Sequence, residues 1–501
     1  MRMYFLVNSR EMKQYDKNTI EYFGIGSSVL MERAALAVAD VVTNRFLAAD
    51  GKILVVCGAG NNGGDGFAAA RLLYLRGYDV EILFPMEEER MTKETARQYQ
   101  IVKAYGISIV FDVILDSYAV VIDALFGIGL SRAVEGELGG LVNRLNHTNS
   151  YKIAVDISSG ISADSGAVLG TAFRADLTVT FGFAKVGQIL FPGAEYTGEL
   201  AVFDIGIDLH SFLGDEPEGR YLKPDSIPSL LPKRAARSHK GTYGKVLIIA
   251  GSGQMAGAAY FAAKAAYYSG CGLVRILTAE ENREILSVKL PEALITVYQN
   301  ESEAILALKE YEPWADAFLI GSGLSTDDTA RSLVKQLLVS TAKKIVLDAD
   351  ALTILSDNMQ LLKDFPGECI VTPHVKEMSR LVHKSVQEIL DDLVQTAQSF
   401  AKQYQAVCIL KDARTVIGIP EGGFYVNLTG NHGMATGGSG DVLAGFLAGF
   451  LAQNLSCSAA AMAVFLHGAA GDLAAEEKGA YGMTASDILE KLPLSFRCGS
   501  K

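Results

Sequence analysis

Two stretches of the chain begin alike. KILVVCGAGNNGGDG (52–66) and KVLIIAGSGQMAG (245–257) each run a short apolar strand into a glycine-rich turn and on into a helical pattern. A strand that feeds a helix in this way is committed to a crossover, and the strand after it lies parallel. The alternation continues behind each start. KILVVC, VEILF, YAVVIDA, KIAVDI and LTVTF read as strands of a first series, with FAAARLLYLRG and LGGLVNRLN as helices between them. KVLIIA, LVRILT, AFLIGSG, KIVLDAD, ECIVTPH, VCILKD and TVIGI read as a second series. It closes on two apolar helices, DVLAGFLAGFLAQ and AAAMAVFLHGAAGDLAA. Residues 9–47 read as helix ahead of the first series. The fold class is therefore α/β, with two parallel sheets each packed between helices. A chain of 501 residues exceeds what one core normally supports. Residues 206–240, rich in Gly, Pro and charge and without periodicity, place the domain boundary near 212–225.

Charge and cysteine usage narrow the function classes. A net charge of −12 disfavours nucleic acid and anionic membranes as partners. The cysteines at 57, 271, 369, 408, 457 and 498 never fall at CxxC spacing, so no structural zinc site or redox motif is indicated. The N-terminal apolar stretch is too short for a signal peptide, and VLAGFLAGFLA falls short of the ~18 residues a membrane span needs. A cytoplasmic location is expected. A homo-oligomer is expected too, with LMERAALAVADVV offering either an interface or core packing.

The first glycine turn carries an unusual load. Gly58, Gly60 and Gly63 satisfy GxGxxG, yet the loop also holds Asn61, Asn62 and Asp65, and an Asp beside a phosphate is repulsive. A dinucleotide fold also wants an acid at the end of the next strand, where this chain has Phe84 and Pro85 and only Glu81 in mid-strand. Hydride transfer fits poorly. The bland alternative makes Asp65 a helix cap. Asp123 and Asp156 end later strands, and strand ends of an open α/β sheet converge on one crevice. Asn61, Asn62, Asp65, Asp123, Asp156 and Ser159 would meet there. Such oxygens suit a hard cation, with the glycine loop 127–133 near a phosphate, while Asp123 or Asp156 could act as acid or base.

In this region SREM, GNNGGDG, DALFGIGL, VDISSG and FDIGI occur in order. The set resembles the YjeF N-terminal domain, an NAD(P)H-hydrate epimerase with a Rossmann-like three-layer sandwich, over residues 1–215. The resemblance implies K+ held by Asn62, Asp123 and Ser159. It implies hydrate contacts from Asn61, Asn62, Gly63, Gly64 and Asp65, from Gly127, Ile128, Gly129, Leu130, Ser131, Arg132 and Ala133, and from Asp156. Asp123 is the chosen acid/base. Ser158 stands where the family usually has Pro, and Ile128 where it usually has Thr; neither change removes a proposed oxygen ligand.

In the second half, GNHGMATGGSGDVLAGFLAGF (430–450) sets Gly437, Gly438 and Gly440 before an apolar helix. Free N–H groups there make an anion site. Asp441 either caps that helix or deprotonates a hydroxyl attacking a bound phosphoryl group, and the helix dipole is expected to keep it ionised. No GxxxxGK[ST] occurs, so this is not a P-loop. GSGL (321–324), Asp348, Asp350, His374, Glu377, Lys411 and Thr415 lie at successive strand ends. Lys411 is either a phosphate contact or a solvated loop lysine, and His374 a substrate contact or a capped surface residue.

Together with SHKGTYGK, KLPEA, DADAL, TPHVKE and LKDARTVI, these motifs resemble the ribokinase-like superfamily, and within it the YjeF C-terminal dehydratase domain, over 225–501. Both halves joined resemble the bifunctional NAD(P)H-hydrate repair enzymes. The resemblance implies a ribokinase-like three-layer sandwich and hydrate contacts at Ala258, Gly323, His374 and Asp441. It implies ADP contacts at Lys411, Asp412, Ala413, Arg414, Thr415 and Gly440, with Mg2+ bridging phosphates and Asp441 catalytic. Val375 and Lys376 stand where the family commonly has a Pro–Gly turn. The implied partners are small molecules, the hydrates NADHX and NADPHX and the co-substrate ADP. The rival reading is a small-alcohol kinase of the hydroxymethylpyrimidine type fused to a non-catalytic binding module.

Overall fold

The computed structural model describes residues 4–111, 113–231, 233–455 and 458–498. Cys457 lies outside them. Cys57, Cys271, Cys369 and Cys408 are buried free thiols, as their apolar neighbours lead one to expect. The chain forms two compact units divided between Gly219 and Arg220, with Tyr4 grouped in the second. Among the described residues no helix is long and apolar enough to cross a membrane.

The first unit holds β1 (Tyr4–Val7), β2 (Lys52–Cys57), β3 (Val80–Leu83), β4 (Ser108–Val110), β5 (Tyr118–Ala124), β6 (Tyr151–Val155), β7 (Leu177–Phe181), β8 (Ala184–Lys185) and β9 (Glu199–Phe203). Seven of them form a parallel sheet in the order β4-β3-β2-β5-β6-β7-β9. Strand succession reverses between β2 and β5, and a ligand crevice opens where two neighbouring strands send their crossovers to opposite faces. β1 pairs with β8, Val7 beside Lys185.

The N-terminal segment forms two helices, Ser9–Glu21 and Ser27–Arg45. Asn8 and Glu11 close a capping box on the first. The apolar residues of the second are spent inside the unit rather than kept for a partner: Leu30, Met31, Ala35, Val38 and Val42 are buried. A further helix, Lys93–Ala104, escaped the sequence pattern because KETARQYQIVKA has few apolar residues.

β10 (Gly219–Tyr221) lies at the division. The second unit holds β11 (Lys245–Ile249), β12 (Leu273–Ala279), β13 (Leu294–Tyr298), β14 (Ala317–Ile320), β15 (Lys344–Leu347), β16 (Cys369–Val371), β17 (Val407–Leu410), β18 (Val416–Gly418) and β19 (Phe424–Val426). β13-β12-β11-β14-β15-β16-β17 pair in parallel, and β17-β18-β19 continue antiparallel. Succession reverses between β11 and β14. The helix Ser439–Ala452 is buried along almost its whole length. Its Gly445 and Gly449 let it lie directly on the helix Ala256–Tyr268, since a Cβ on Gly445 would fall 1.9 Å from Ala262 O.

Candidate active sites

In the first unit the crevice is a cavity of about 1190 Å³. Asn61, Asn62 and Asp65 line it, as do Gly127 to Arg132 and Asp156. Gly63, Gly64, Ala133, Asp123 and Ser159 do not line it. The two glycines serve packing: a Cβ on Gly63 would fall 1.8 Å from Gly58 O, and one on Gly64 2.6 Å from Met31 Cε.

Asp123, Ser159 and Asn62 meet around the backbone of Phe126. Ser159 Oγ donates to Asp123 Oδ1 at 2.7 Å, and Ser159 N to Oδ2 at 2.8 Å. Phe126 N donates to Ser159 Oγ at 2.9 Å, and Asn62 Nδ2 to Phe126 O at 3.1 Å. Asp123 is wholly buried. Burial pushes its carboxyl up to about 6, against the hydrogen bonds from Ser159 and Leu125 that favour the charge. Expected also to handle the substrate's protons, it sits beneath the Phe126 turn instead of on the cavity wall.

The helix begins at Asn61 with Gly60 as its cap, so Asp65 falls in its second turn and is not a cap. Its carboxyl is driven well above the usual range by burial and then by Asp156 and Asp16, with Lys185 opposing. Glu81, the acid that a dinucleotide fold would need at a strand end, is held in mid-strand by Lys52 at 2.6 Å. Lys13, Asp16 and Lys185 also line the cavity, and the sequence pattern passed them over. Lys185 was the most visible of them, a lone cation in the apolar run FGFAKVGQILF.

In the second unit Asp441 is the third residue of Ser439–Ala452, whose cap is Gly438 at φ +94°. Lys411 Nζ stands 3.5 Å from where a Cβ on Gly440 would be. Lys411 is mostly buried rather than a solvated loop residue, and its Nζ donates to Asp348 Oδ1 at 3.2 Å. Thr372 Oγ1 donates to the same oxygen at 2.6 Å, and Ser322 Oγ to Oδ2 at 3.0 Å. Asp348 is thereby fully engaged.

Burial raises Asp441 to about 7, helped by Asp348 and opposed by Ser322 and Lys411. The helix dipole, which favours the ionised form, is opposed by a larger effect of burial. The dipole is worth about 0.3–1 kcal/mol. A shift from 3.8 to about 7 corresponds to about 4 kcal/mol.

Gly323, at φ +59°, touches Ala258: a Cβ there would fall 2.7 Å from Ala258 Cβ. His374 caps the helix Val375–Val382, its Nδ1 accepting from Lys376 N and Glu377 N, and its side chain stays half exposed. That cap makes Val375 and Lys376 the first helical turn, where a Pro–Gly pair is not required. Burial and then Lys411 lower the His374 pKa, so the ring is neutral near pH 7. Residues Lys411 to Thr415 form the turn of the β17–β18 hairpin. Arg414 Nη1 donates to Leu428 O at 3.0 Å.

Two family models match the chain, "NAD(P)H-hydrate dehydratase" over 246–494 and "YjeF-related protein N-terminus" over 27–187. A bifunctional NAD(P)H-hydrate repair enzyme of Moorella thermoacetica is 38% identical, with 98% of this chain and 97% of that protein covered. The chain belongs to the bifunctional NAD(P)H-hydrate repair enzyme family. A repair enzyme of Escherichia coli is 33% identical over 96% of this chain and 92% of its own. Among solved structures, an ADP/ATP-dependent NAD(P)H-hydrate dehydratase from Bacillus subtilis, co-crystallised with ATP and Mg2+, matches with a TM-score of 0.50 and 32% identity. It covers 55% of this chain and 97% of that one. A ribokinase-like superfamily protein of Enterococcus faecalis matches with a TM-score of 0.51 and 32% identity, covering 56% and 96%. Both cover about the share of this repair enzyme that its second unit occupies.

Proposed function

We propose that the first unit interconverts the R and S hydrates of NADH and NADPH and that the second dehydrates the S form with ADP, giving AMP and phosphate. The observation that carries the second activity is Asp441 in the first turn of a glycine-capped buried helix, beside Lys411 and Ser322. Free N–H groups at that helix start hold the terminal phosphoryl group, and Lys411 supplies a point charge next to it. Asp441 takes the proton of the substrate's carbon-6 hydroxyl as that oxygen attacks phosphorus and AMP leaves. The ring nitrogen then expels phosphate, and loss of a proton from carbon 5 restores the dihydropyridine. Ala258, Gly323 and the exposed edge of His374 contact the hydrate, and Asp412 to Thr415 with Gly440 contact the nucleotide. Mg2+ bound together with the nucleotide would offset the charge of its phosphates.

In the first unit Asn61, Asn62, Asp65, Asp156 and the loop 127–132 contact the hydrate. Asn62, Asp123 and Ser159 hold K+, the backbone carbonyl of Phe126 lying among them. One carboxylate among neutral oxygens suits a monovalent hard ion better than a divalent one. A bound K+ would neutralise the buried Asp123 and fix the Phe126 turn, from which the loop 127–132 departs.

Incubating the chain with ADP and mixed hydrates tests this reading. AMP should form in step with recovered dihydronicotinamide absorbance. A stable phosphorylated alcohol with no recovery would establish the kinase reading instead.

A further inference from the structure

Lys185 is fully buried, yet all its hydrogens are placed. Its Nζ donates to Asp156 Oδ1 at 2.5 Å, to Thr180 Oγ1 at 2.7 Å and to Phe181 O at 3.1 Å. Three acceptors around Nζ match the three N–H donors of a lysine ammonium group. Thr180 Oγ1 passes its own hydrogen to Asp156 Oδ1 at 3.1 Å, and Phe181 N adds a third bond at 3.3 Å. None of these bonds takes Asp156 Oδ2. The Asp156 backbone is strained at φ +64°. Its N–H donates to Val179 O at 2.8 Å, and Gln188 Nε2 donates to its carbonyl at 2.6 Å. So much local support aims one carboxylate oxygen. Asp65, in the same cavity, has the opposite environment: it is partly buried and faces Asp156 and Asp16 with only Lys185 opposing.

We infer that Asp65 and Asp156 are the acid and base of the epimerisation, with Lys185 as the positioning residue that holds Asp156 through Oδ1 and turns Oδ2 to the substrate. The inference rests on the epimerase reading of the first unit. Two carboxyls on one cavity, one ion-paired to a buried lysine and the other not, are matched to such a task. Asp65 gives its proton to the carbon-6 hydroxyl, the carbon–oxygen bond breaks, and water leaves. The lone pair of the ring nitrogen closes a double bond to carbon 6. Water then adds from the other face and gives a proton to Asp156 Oδ2, while the double-bond pair returns to nitrogen. One proton has moved from Asp65 to Asp156, and it returns through solvent between turnovers. The reverse conversion uses the same two groups in exchanged roles. The other charged groups lining the cavity are Lys13 and Asp16 of the first helix, Glu87, Arg90, Glu94, Arg132 and Glu137.

The test follows purified R hydrate, without ADP, by chiral chromatography and mass spectrometry in ¹⁸O water. If the unaltered chain does not form S hydrate, the epimerase reading itself fails. If it does, each inversion is expected to carry one ¹⁸O at carbon 6, and inversion without label overturns the scheme. Asp65→Asn is expected to slow turnover about 100-fold with hydrate binding retained. Lys185→Met is expected to displace the acid limb of the pH profile toward higher pH, so that turnover recovers as pH rises. An equal loss at every pH would make Lys185 merely structural, and Asp65→Asn turnover within about threefold of the parent would remove Asp65 from the reaction.

Discussion

Lys411 follows β17 and Asp348 follows β15, the two strands that flank β16, and they form an ion pair at 3.2 Å, beside the helix that carries Asp441. Asp348 attracts the lysine and repels Asp441, so a single buried carboxylate biases both groups. Lys411→Met strands that carboxylate. Breaking a buried pair from one side costs about 3–5 kcal/mol, and the partial exposure of Lys411 places this one at the low end. The expected result is a urea midpoint lowered accordingly, with ADP affinity by calorimetry reduced at least about tenfold.

Asp441 links activity to stability with opposite signs. Its carboxyl titrates at about 7 when folded, against 3.8 for the ordinary group. Between those values the folded state binds more protons than the unfolded one, so stability falls as pH rises through the window. Asp441→Asn is expected to melt higher than the parent at about pH 8 and to lose that advantage near pH 4, because the ionised form is then absent. The same substitution should cost at least about 100-fold in S-hydrate turnover. In the unaltered chain, turnover should climb through about pH 7 and then level.

Potassium should matter to one activity only. Replacing K+ by a large organic cation is expected to slow R–S interconversion while S-hydrate dehydration with ADP continues. Ser159→Ala removes the hydroxyl 2.7 Å from Asp123 Oδ1 and should cost about 1–2 kcal/mol, read from urea unfolding. The K+ response should weaken toward acid pH as Asp123 becomes protonated.

Gly438 tests the anion loop. A Cβ there would lie 2.8 Å from Phe261 Cε2, on a backbone at φ +94°. Gly438→Ala is expected to cost about 1–3 kcal/mol and to abolish ADP binding measured by calorimetry. Unchanged ADP affinity would remove this loop from the nucleotide site.

The sheets and the strand-end residues were legible because both depend on local pattern: apolar runs, glycine turns, and acids where runs stop. That logic put Asn62, Asp123 and Ser159 in one crevice with Asn61, Asp65 and Asp156, and the family resemblance singled out the three. Lys185 and Asp16 were not, because the pairing of Val7 with Lys185 and the return of the first helix to the crevice are long-range events with no local signature. The burial of Asp441 was not legible for a related reason. A helix start is visible in sequence, whereas the burial that outweighs its dipole depends on Asp348 and the neighbouring strands.

In the proposed function one chain drains both hydrate epimers through a single ADP-dependent exit. Pure R hydrate given to the chain with ADP measures this directly. Complete recovery of dihydronicotinamide absorbance, with one AMP formed per molecule restored, is the predicted result. Recovery limited to the S hydrate that arises without enzyme would contradict it.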